Sequence, residues 1–250
     1  MIRACRIQLK RIFTIRTALL GIAAGVLYAL SIAGLYKESQ DAWYLIFQST
    51  QSGIQFLTVF FIPPMVFAYT LAEEWENKAA DYYVIRSGLR KYVFSKYAAA
   101  AAGGFLCLFI GMGLFAAACC IMLPPFIHSN NSSIYDTMMG EGTILKGYLL
   151  FIIDQALSGA AAAVIGMTVS AFIMTPLTGV VAPLCVEISF SLLSYIIRLP
   201  SVMDPNTWVR IYNGEAVSGL LTQRVLPVLI AMIVMTLIGE KRMERRLTRG

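Results

Sequence analysis

The chain has 250 residues, of which 58% are apolar and 14% are charged, with a net charge of +6 and a mean hydropathy of +0.71. A soluble globular domain has roughly 45–50% apolar and about 25% charged residues. The composition therefore excludes an ordinary soluble domain, a disordered chain and a disulfide-rich secreted domain, and it predicts a polytopic integral membrane protein.

Six apolar segments approach the length of about 20 residues that a helix needs to cross a bilayer. We predict an all-α membrane protein with transmembrane helices at 17–36, 54–72, 97–123, 147–172, 177–197 and 225–239. The last segment is short and can gain length from 217–221. A cleaved signal peptide is the alternative for the first segment, but its apolar run is longer than such peptides usually have.

Before the first span, residues 1–15 alternate apolar and basic side chains at helical spacing. This pattern predicts an amphipathic helix on the membrane surface. Within the spans, Pro63-Pro64, Pro176 and Pro183 predict kinks or breaks. Gly21 and Gly25 form a G-x-x-x-G pattern that favours close packing of helices.

The orientation follows from the distribution of the 20 Lys and Arg residues. Three quarters of them lie before the first span, between spans two and three, and after span six. The positive-inside rule then places both termini in the cytoplasm, which requires an even number of spans. Because the positive-inside rule explains where the Lys and Arg residues lie, we expect no nucleic-acid binding.

The connection at 73–96, between spans two and three, is the most informative part of the sequence. It opens with Glu73-Glu74, continues through an apolar patch at 82–85, breaks at Ser87-Gly88 and ends in basic residues. Exposed aromatic residues between charges of both signs are typical of a protein contact. The alternative is a solvated connector with aromatic side chains at the membrane interface.

This segment resembles the first cytoplasmic loop of ABC-2 type permeases, the membrane subunits of bacterial ATP-driven exporters. In that family an acid closes span two, a coupling helix follows, and a Lys opens span three. Here Glu73 or Glu74 fits the acid, Asp81 to Ile85 the coupling helix, Arg90 the turn and Lys96 the lysine. The chain departs from the family at Asn77-Lys78, where Gly-Thr is frequent, and at 86–88, where a Pro is frequent.

The resemblance implies a six-span, type V exporter-like architecture, with 198–224 as a re-entrant segment closing the outer mouth. It implies a bacterial cytoplasmic membrane protein that exports a peptide, drug or lipid-like substrate, with the bacteriocin or lantibiotic branch favoured. The implied partners are cytoplasmic ABC ATPase subunits, which would hold ATP and Mg, and a second permease copy or paralogue. The implied coupling residues are Glu73, Glu74, Lys78, Asp81, Tyr82, Tyr83, Arg86, Arg90 and Lys96.

Catalytic chemistry is not expected of this chain. It contains no G-x-x-x-x-G-K-[ST] phosphate-binding loop, so ATP hydrolysis is expected on a separate polypeptide. The single His128 and the five cysteines form no nucleophilic or metal-ligand pattern, so we expect no cofactor and no metal.

Two acids, Asp154 and Glu187, fall inside the predicted spans four and five. An acid in a spanning helix usually faces a cavity, a partner helix or another subunit. Both can line a route for a cationic substrate or carry protons, or they can simply bond to a neighbour such as Ser158, Ser189, Ser191 or Tyr195. The sequence thus leaves two other functions open, an ion-coupled secondary transporter using these acids and a non-transporting membrane anchor for a cytoplasmic protein.

Overall fold

The computed structural model describes residues 8, 12–36, 39–127, 133–197 and 224–249, and all regular structure in these ranges is helical. This confirms the predicted all-α class. The predicted interfacial helix at 1–15 and the predicted re-entrant segment at 198–224 lie almost wholly outside the described residues. The helices are α1 (Ile15–Ser31), α2 (Ala42–Ser49), α3 (Ile54–Phe60), α4 (Pro64–Phe67), α5 (Thr70–Glu76), α6 (Ala79–Ser87), α7 (Leu89–Met122), α8 (Ile134–Gly140), α9 (Ile144–Phe172), α10 (Pro176–Ile197) and α11 (Leu226–Arg249).

Four helical segments in the described part of the chain are long and apolar enough to cross a membrane. They are the α3–α5 segment over Ile54–Glu76, α7, α9 and α10. They fit a multi-pass membrane protein, as the composition predicts. The other two predicted spans correspond to α1, with 17 residues, and to the first part of α11, with 24 residues in all.

Helix α9 lies in the middle of the bundle and packs against α7, α10 and α11. Small residues allow these close approaches. A Cβ atom on Gly104 of α7 would lie 2.5 Å from the carbonyl oxygen of Gly159 in α9. On the other side of α9, Gly166 contacts the carbonyl oxygen of Gly179 in α10. The glycines at both ends of the small-residue run in α9 thus face neighbouring backbones.

The G-x-x-x-G pattern of α1 packs against α7, which confirms the packing interpretation. A Cβ atom on Gly111 of α7 would lie 2.7 Å from the carbonyl oxygen of Gly21, and one on Gly25 would lie 2.9 Å from that of Gly111. The two backbones therefore touch at this crossing. This contact attaches the shorter α1 firmly to α7, the longest of the described helices.

The second predicted span is broken at Pro63-Pro64, as expected. Helix α3 ends at Phe60, and α4 begins at Pro64. Proline is tolerated at the start of a helix because the N–H groups there have no acceptor within the helix, so the missing N–H costs no hydrogen bond. Pro176 likewise begins α10, whereas Pro183 lies inside it. In α10 only Gly179, Pro183 and Glu187 are buried, at four-residue intervals, so a narrow stripe of this helix contacts the bundle.

Helices α2 and α8 cover the end of the bundle where α7 finishes. Trp43 of α2 packs edge-on against Tyr148 and Phe151 of α9, with ring centroids 5.7 and 5.3 Å apart. Its indole N–H donates to Asp136 of α8, which also forms a capping box with Ser133. The short helices are therefore held by buried polar bonds as well as by aromatic packing.

Candidate functional site

A buried ion pair joins the end of the broken span to the beginning of α7. The Nζ atom of Lys96 lies 2.7 Å from Oε1 of Glu74, and the Lys96 side chain is fully buried. The hydroxyl of Tyr92 donates to Oε2 of Glu74 at 2.8 Å, and Lys96 also donates to Thr70 at 3.3 Å. A buried charge is stable only when paired and hydrogen-bonded, and this pair satisfies both conditions.

The helical period explains how four residues from two helices meet. Thr70 and Glu74 are one turn apart on α5, and Tyr92 and Lys96 are one turn apart on α7, so each helix presents a two-residue polar face. The sequence left the register open between Glu73 and Glu74. In the structure Glu73 is exposed and Glu74 is the acid that contacts Lys96.

Between these helices, α6 forms a separate short helix with a sharp turn at each end. Lys78, with φ of +55°, connects α5 to α6, and Gly88, with φ of +80°, connects α6 to α7. A positive φ is easily adopted by glycine, whereas a lysine in this region is uncommon. The predicted helix break at Ser87-Gly88 is present, and α6 is held between two tight corners.

One side of α6 packs on the bundle and the other is exposed. The ring of Tyr83 stacks on that of Tyr92, with centroids 6.2 Å apart and planes 8° apart. Tyr82 and Ile85 point away, with exposed fractions of 61% and 86%. Tyr92 also donates to Glu74. The stacked rings of Tyr83 and Tyr92 therefore connect α6 to the buried ion pair.

The remaining predicted coupling residues surround α6. Asp81 lies within α6, and Arg86 donates a hydrogen bond to the hydroxyl of Tyr82 at 3.4 Å. Arg90, in the first turn of α7, forms an ion pair of 3.1 Å with Glu240 of α11. The predicted set therefore includes a buried pair, Glu74 and Lys96, the packed Tyr83, and exposed side chains at Glu73, Lys78, Tyr82, Arg86 and Arg90.

Asp154, which the sequence predicts to be inside a span, lies in a second buried polar cluster. Its Oδ2 atom is 2.9 Å from Nη2 of Arg224, and the Tyr135 hydroxyl donates to the same oxygen at 3.1 Å. All three side chains are buried. The alternative that Asp154 bonds to a neighbouring Ser, Thr or Tyr is met by Tyr135, while the Ser158 hydroxyl donates to the Asp154 backbone carbonyl, one turn earlier in α9.

Polar contacts continue on the next residue of α9. Gln155 accepts a hydrogen bond of 3.3 Å from the side chain of Gln55 in α3, and both side chains are buried. In α10, Glu187 accepts a bond of 2.9 Å from Ser191, one of the partners that the sequence suggested. Tyr195, another suggested partner, is 87% exposed. Asp154 and Gln155 thus bring α9, α3 and the beginning of α11 together.

Comparison of the chain with protein-family models, with curated proteins and with solved structures finds no match. The two clusters are therefore interpreted from their own geometry. Within the ranges that the structure describes, no group of three or more His, Cys, Asp or Glu side chains is placed to hold a metal ion.

Sequence reasoning missed the residues that complete both clusters. Arg224 enters the sequence analysis only through the charge distribution and as the end of the predicted re-entrant segment, although a lone Arg preceding an apolar helix and a lone Asp inside another are complementary charges. Tyr92 and Thr70 carried a weaker signal, since each lies one turn before a charged residue in the adjoining helices. Tyr135 carried no signal, because it reaches Asp154 only through the packing of α8.

Proposed function

We propose that this protein is the membrane subunit of an ATP-driven ABC exporter of the ABC-2 type. The observation that supports this most directly is α6, a short helix between two spanning segments that exposes Tyr82 and Ile85. Large apolar side chains exposed on a well-anchored element are typical of protein interfaces. We propose that α6 binds a cytoplasmic ATPase subunit.

The connection between α6 and the bundle supports transmission of movement. Both corners of α6 are tight, and its inner face reaches Glu74 and Lys96 through Tyr83 and Tyr92. A displacement of α6 would therefore be transmitted to both α5 and α7, because short, tight connections join α6 to each of them. Coupling of this kind needs contiguous packed contacts between two sites, and these four side chains provide them.

The six-span arrangement is part of the same proposal. Helix α1 is about 26 Å long at 1.5 Å per residue, close to the hydrocarbon thickness of about 30 Å. It packs along α7, and α11 packs along α9, so both run beside candidate spans. With α1 and α11 as the first and last of six spans, both termini lie in the cytoplasm of a bacterial cell, where α6 meets the ATPase.

A second permease copy or a paralogue completes the transporter. Outside its narrow buried stripe, α10 exposes Leu177, Leu192, Ile196 and other apolar side chains, which is consistent with a helix that contacts lipid or another subunit. The substrate is proposed to be a peptide, drug or lipid-like molecule. ATP and Mg would be bound by the ATPase subunits, and this chain would bind no cofactor.

The test is co-purification of an ATPase with the tagged protein from native membranes in mild detergent. The variant is Tyr82→Ala/Ile85→Ala, which alters only exposed side chains; Tyr83 is left intact because it packs on Tyr92. We expect an ATPase subunit with the wild type and at least a tenfold loss with the variant. Absence of any ATPase from the wild-type preparation would contradict the proposal.

Ile121→Ala/Met122→Ala is the control, because it removes two other large apolar side chains, 86% and 66% exposed, at the end of α7 far from α6. Retention of the ATPase by this control would locate the contact at α6. Equal losses from both variants would show a general effect of removing surface apolar groups and would contradict a specific role for α6.

Reconstitution into liposomes separates the two alternative functions. An exporter requires ATP and its ATPase partner, whereas an ion-coupled transporter would work with an ion gradient alone and would lose coupling in Asp154→Asn or Glu187→Gln. A membrane anchor would show no flux under either condition. Flux driven by a gradient without ATP would replace the exporter proposal with the ion-coupled one.

A further inference from the structure

The exposed face of α11 changes from apolar to cationic along a single stripe. Ile230, Val234 and Leu237 are 51%, 45% and 58% exposed, and they are followed at the same helical spacing by Lys241 and Arg245, which are also exposed. Residues three or four positions apart lie on one helical face. The side of α11 that fits the acyl chains of a bilayer therefore continues directly into two cations.

The opposite face of α11 fixes the orientation of this stripe. Gly239 lies directly against Tyr97 of α7, and Met243 is completely buried. Arg242 lies 5.2 Å above the centre of the Phe172 ring, and Arg246 donates to the Phe172 carbonyl at the end of α9. These contacts hold the helix beyond its apolar part, so Lys241 and Arg245 keep the direction of the apolar stripe.

In the six-span arrangement proposed above, Lys241 lies at the depth of the lipid headgroups, and Arg245 lies beyond them with a side chain long enough to reach back. At 1.5 Å per residue, Lys241 is about 6 Å and Arg245 about 12 Å beyond Leu237. The headgroup region extends about 5–7 Å from the hydrocarbon core on each side, and long basic side chains reach back toward it.

The charges around the stripe leave a positive surplus. Glu240 is occupied by Arg90, and Glu244 lies one turn after Glu240 on the same helix. Arg90 and Lys91 of α7 line the same groove as these two carboxylates. The cations of this region, with Lys241 and Arg245 added, therefore outnumber its carboxylates.

We propose that Lys241 and Arg245 form a binding surface for the phosphate of anionic phospholipids in the adjacent leaflet. The acyl chains of the bound lipid lie along Ile230, Val234 and Leu237. The assignment rests on the six-span arrangement proposed above and not on ATP-driven transport, so the two proposals fail in different experiments. Each cation near an anionic membrane surface favours binding by about 5-fold.

The experiment is native mass spectrometry of the purified full-length protein with equal amounts of dioleoylphosphatidylglycerol or dioleoylphosphatidylcholine. We expect the wild type to retain the anionic lipid preferentially, and Lys241→Gln/Arg245→Gln to lower that preference by about 10- to 25-fold. The charge-conserving variant Lys241→Arg/Arg245→Lys should keep it. Glu244→Gln, which removes a carboxylate, should increase it, and this variant decides the matter if the double Gln variant does not fold.

Lys146→Gln is the control for loss of an exposed cation, since Lys146 lies at the beginning of α9, away from Phe172 at its other end. It should leave the preference near the wild-type value. Equal retention of both lipids by the wild type would overturn the assignment, as would an unchanged preference in the double Gln variant. Loss of a co-purifying cytoplasmic protein from the double variant, with lipid preference intact, would assign the cations to a protein contact and also overturn it.

Discussion

Asp154 and Arg224 form a buried ion pair with 2.9 Å between Oδ2 and Nη2, and neither residue is more than 5% exposed. Asp154 lies inside α9, and Arg224 stands just before α11. The pair therefore joins two parts of the bundle that are distant in the sequence. The hydroxyl of Tyr135 in α8 also donates to Asp154. One carboxylate therefore connects α8, α9 and the residue before α11.

Removal of one member of this pair should destabilise the protein strongly. Asp154→Asn and Arg224→Gln each leave a buried group without its partner, a change that costs about 3–5 kcal/mol. The double variant Asp154→Leu/Arg224→Met removes both charges and should recover most of that loss. The free energy of unfolding in an SDS titration measures the effect, and equal losses in the double and single variants would show that the ion pair is not the cause.

Glu74 and Glu73 are adjacent acids with opposite environments and provide a matched comparison. Glu74→Gln weakens the bond to the fully buried Lys96 and should lower the free energy of unfolding by about 3 kcal/mol. Glu73→Gln alters an exposed side chain and should stay within about 0.5 kcal/mol of wild type. Thermal unfolding of the purified variants shows which of the two is less stable. A larger loss of stability in Glu73→Gln would show that Glu74 is not the acid that pairs with Lys96.

The contact between α7 and α9 depends on the absence of a side chain at Gly104. Gly104→Ala would place a Cβ atom 2.5 Å from the Gly159 carbonyl oxygen and should destabilise the bundle by about 1–3 kcal/mol. Gly113→Ala, in the same helix, meets nothing within 4 Å and should be neutral or stabilising, by up to about 1 kcal/mol. Unfolding in SDS separates the two, and similar stabilities would argue against the close crossing.

The indole N–H of Trp43 should contribute measurably to the attachment of α2 and α8. Trp43→Phe retains a ring among Tyr148 and Phe151 but removes the donor to the buried Asp136, at an expected cost of about 1–3 kcal/mol. Tyr44→Phe changes its more exposed neighbour in α2 and should lie within about 0.5 kcal/mol of wild type. Limited proteolysis of α2 and α8 offers a second readout, with faster cleavage expected only for Trp43→Phe.

Much of the helical layout follows from local sequence signals. Long apolar runs required helices, because unpaired backbone groups cannot be left in a membrane. Pro63-Pro64 interrupted one of them because proline lacks the N–H that a continuing helix needs. Gly88 ended α6 with a positive φ that glycine adopts readily. These effects act within a few residues, so a local pattern is enough to predict them.

The partners of the charged residues could be predicted only in part. Lys96 and an acid at 73 or 74 were placed in one functional group from the resemblance, but whether that acid is Glu73 or Glu74 depends on which side of α5 faces α7. Asp154 was identified as exceptional inside a span, whereas Arg224 was not identified as its counter-ion. Helical spacing fixes which residues share a face, and it leaves open which face meets which helix.

By itself, the sequence determined an all-helical membrane protein, the approximate positions of its apolar segments and the unusual character of the connection between α5 and α7. Only the tertiary structure decided that Glu74 pairs with Lys96, that Arg224 neutralises Asp154 and that Tyr83 is packed while Tyr82 is exposed. The physical reason is the distance along the chain over which each interaction acts. Hydropathy and backbone hydrogen bonding act along one segment, whereas a buried charge finds its partner through the packing of several helices at once.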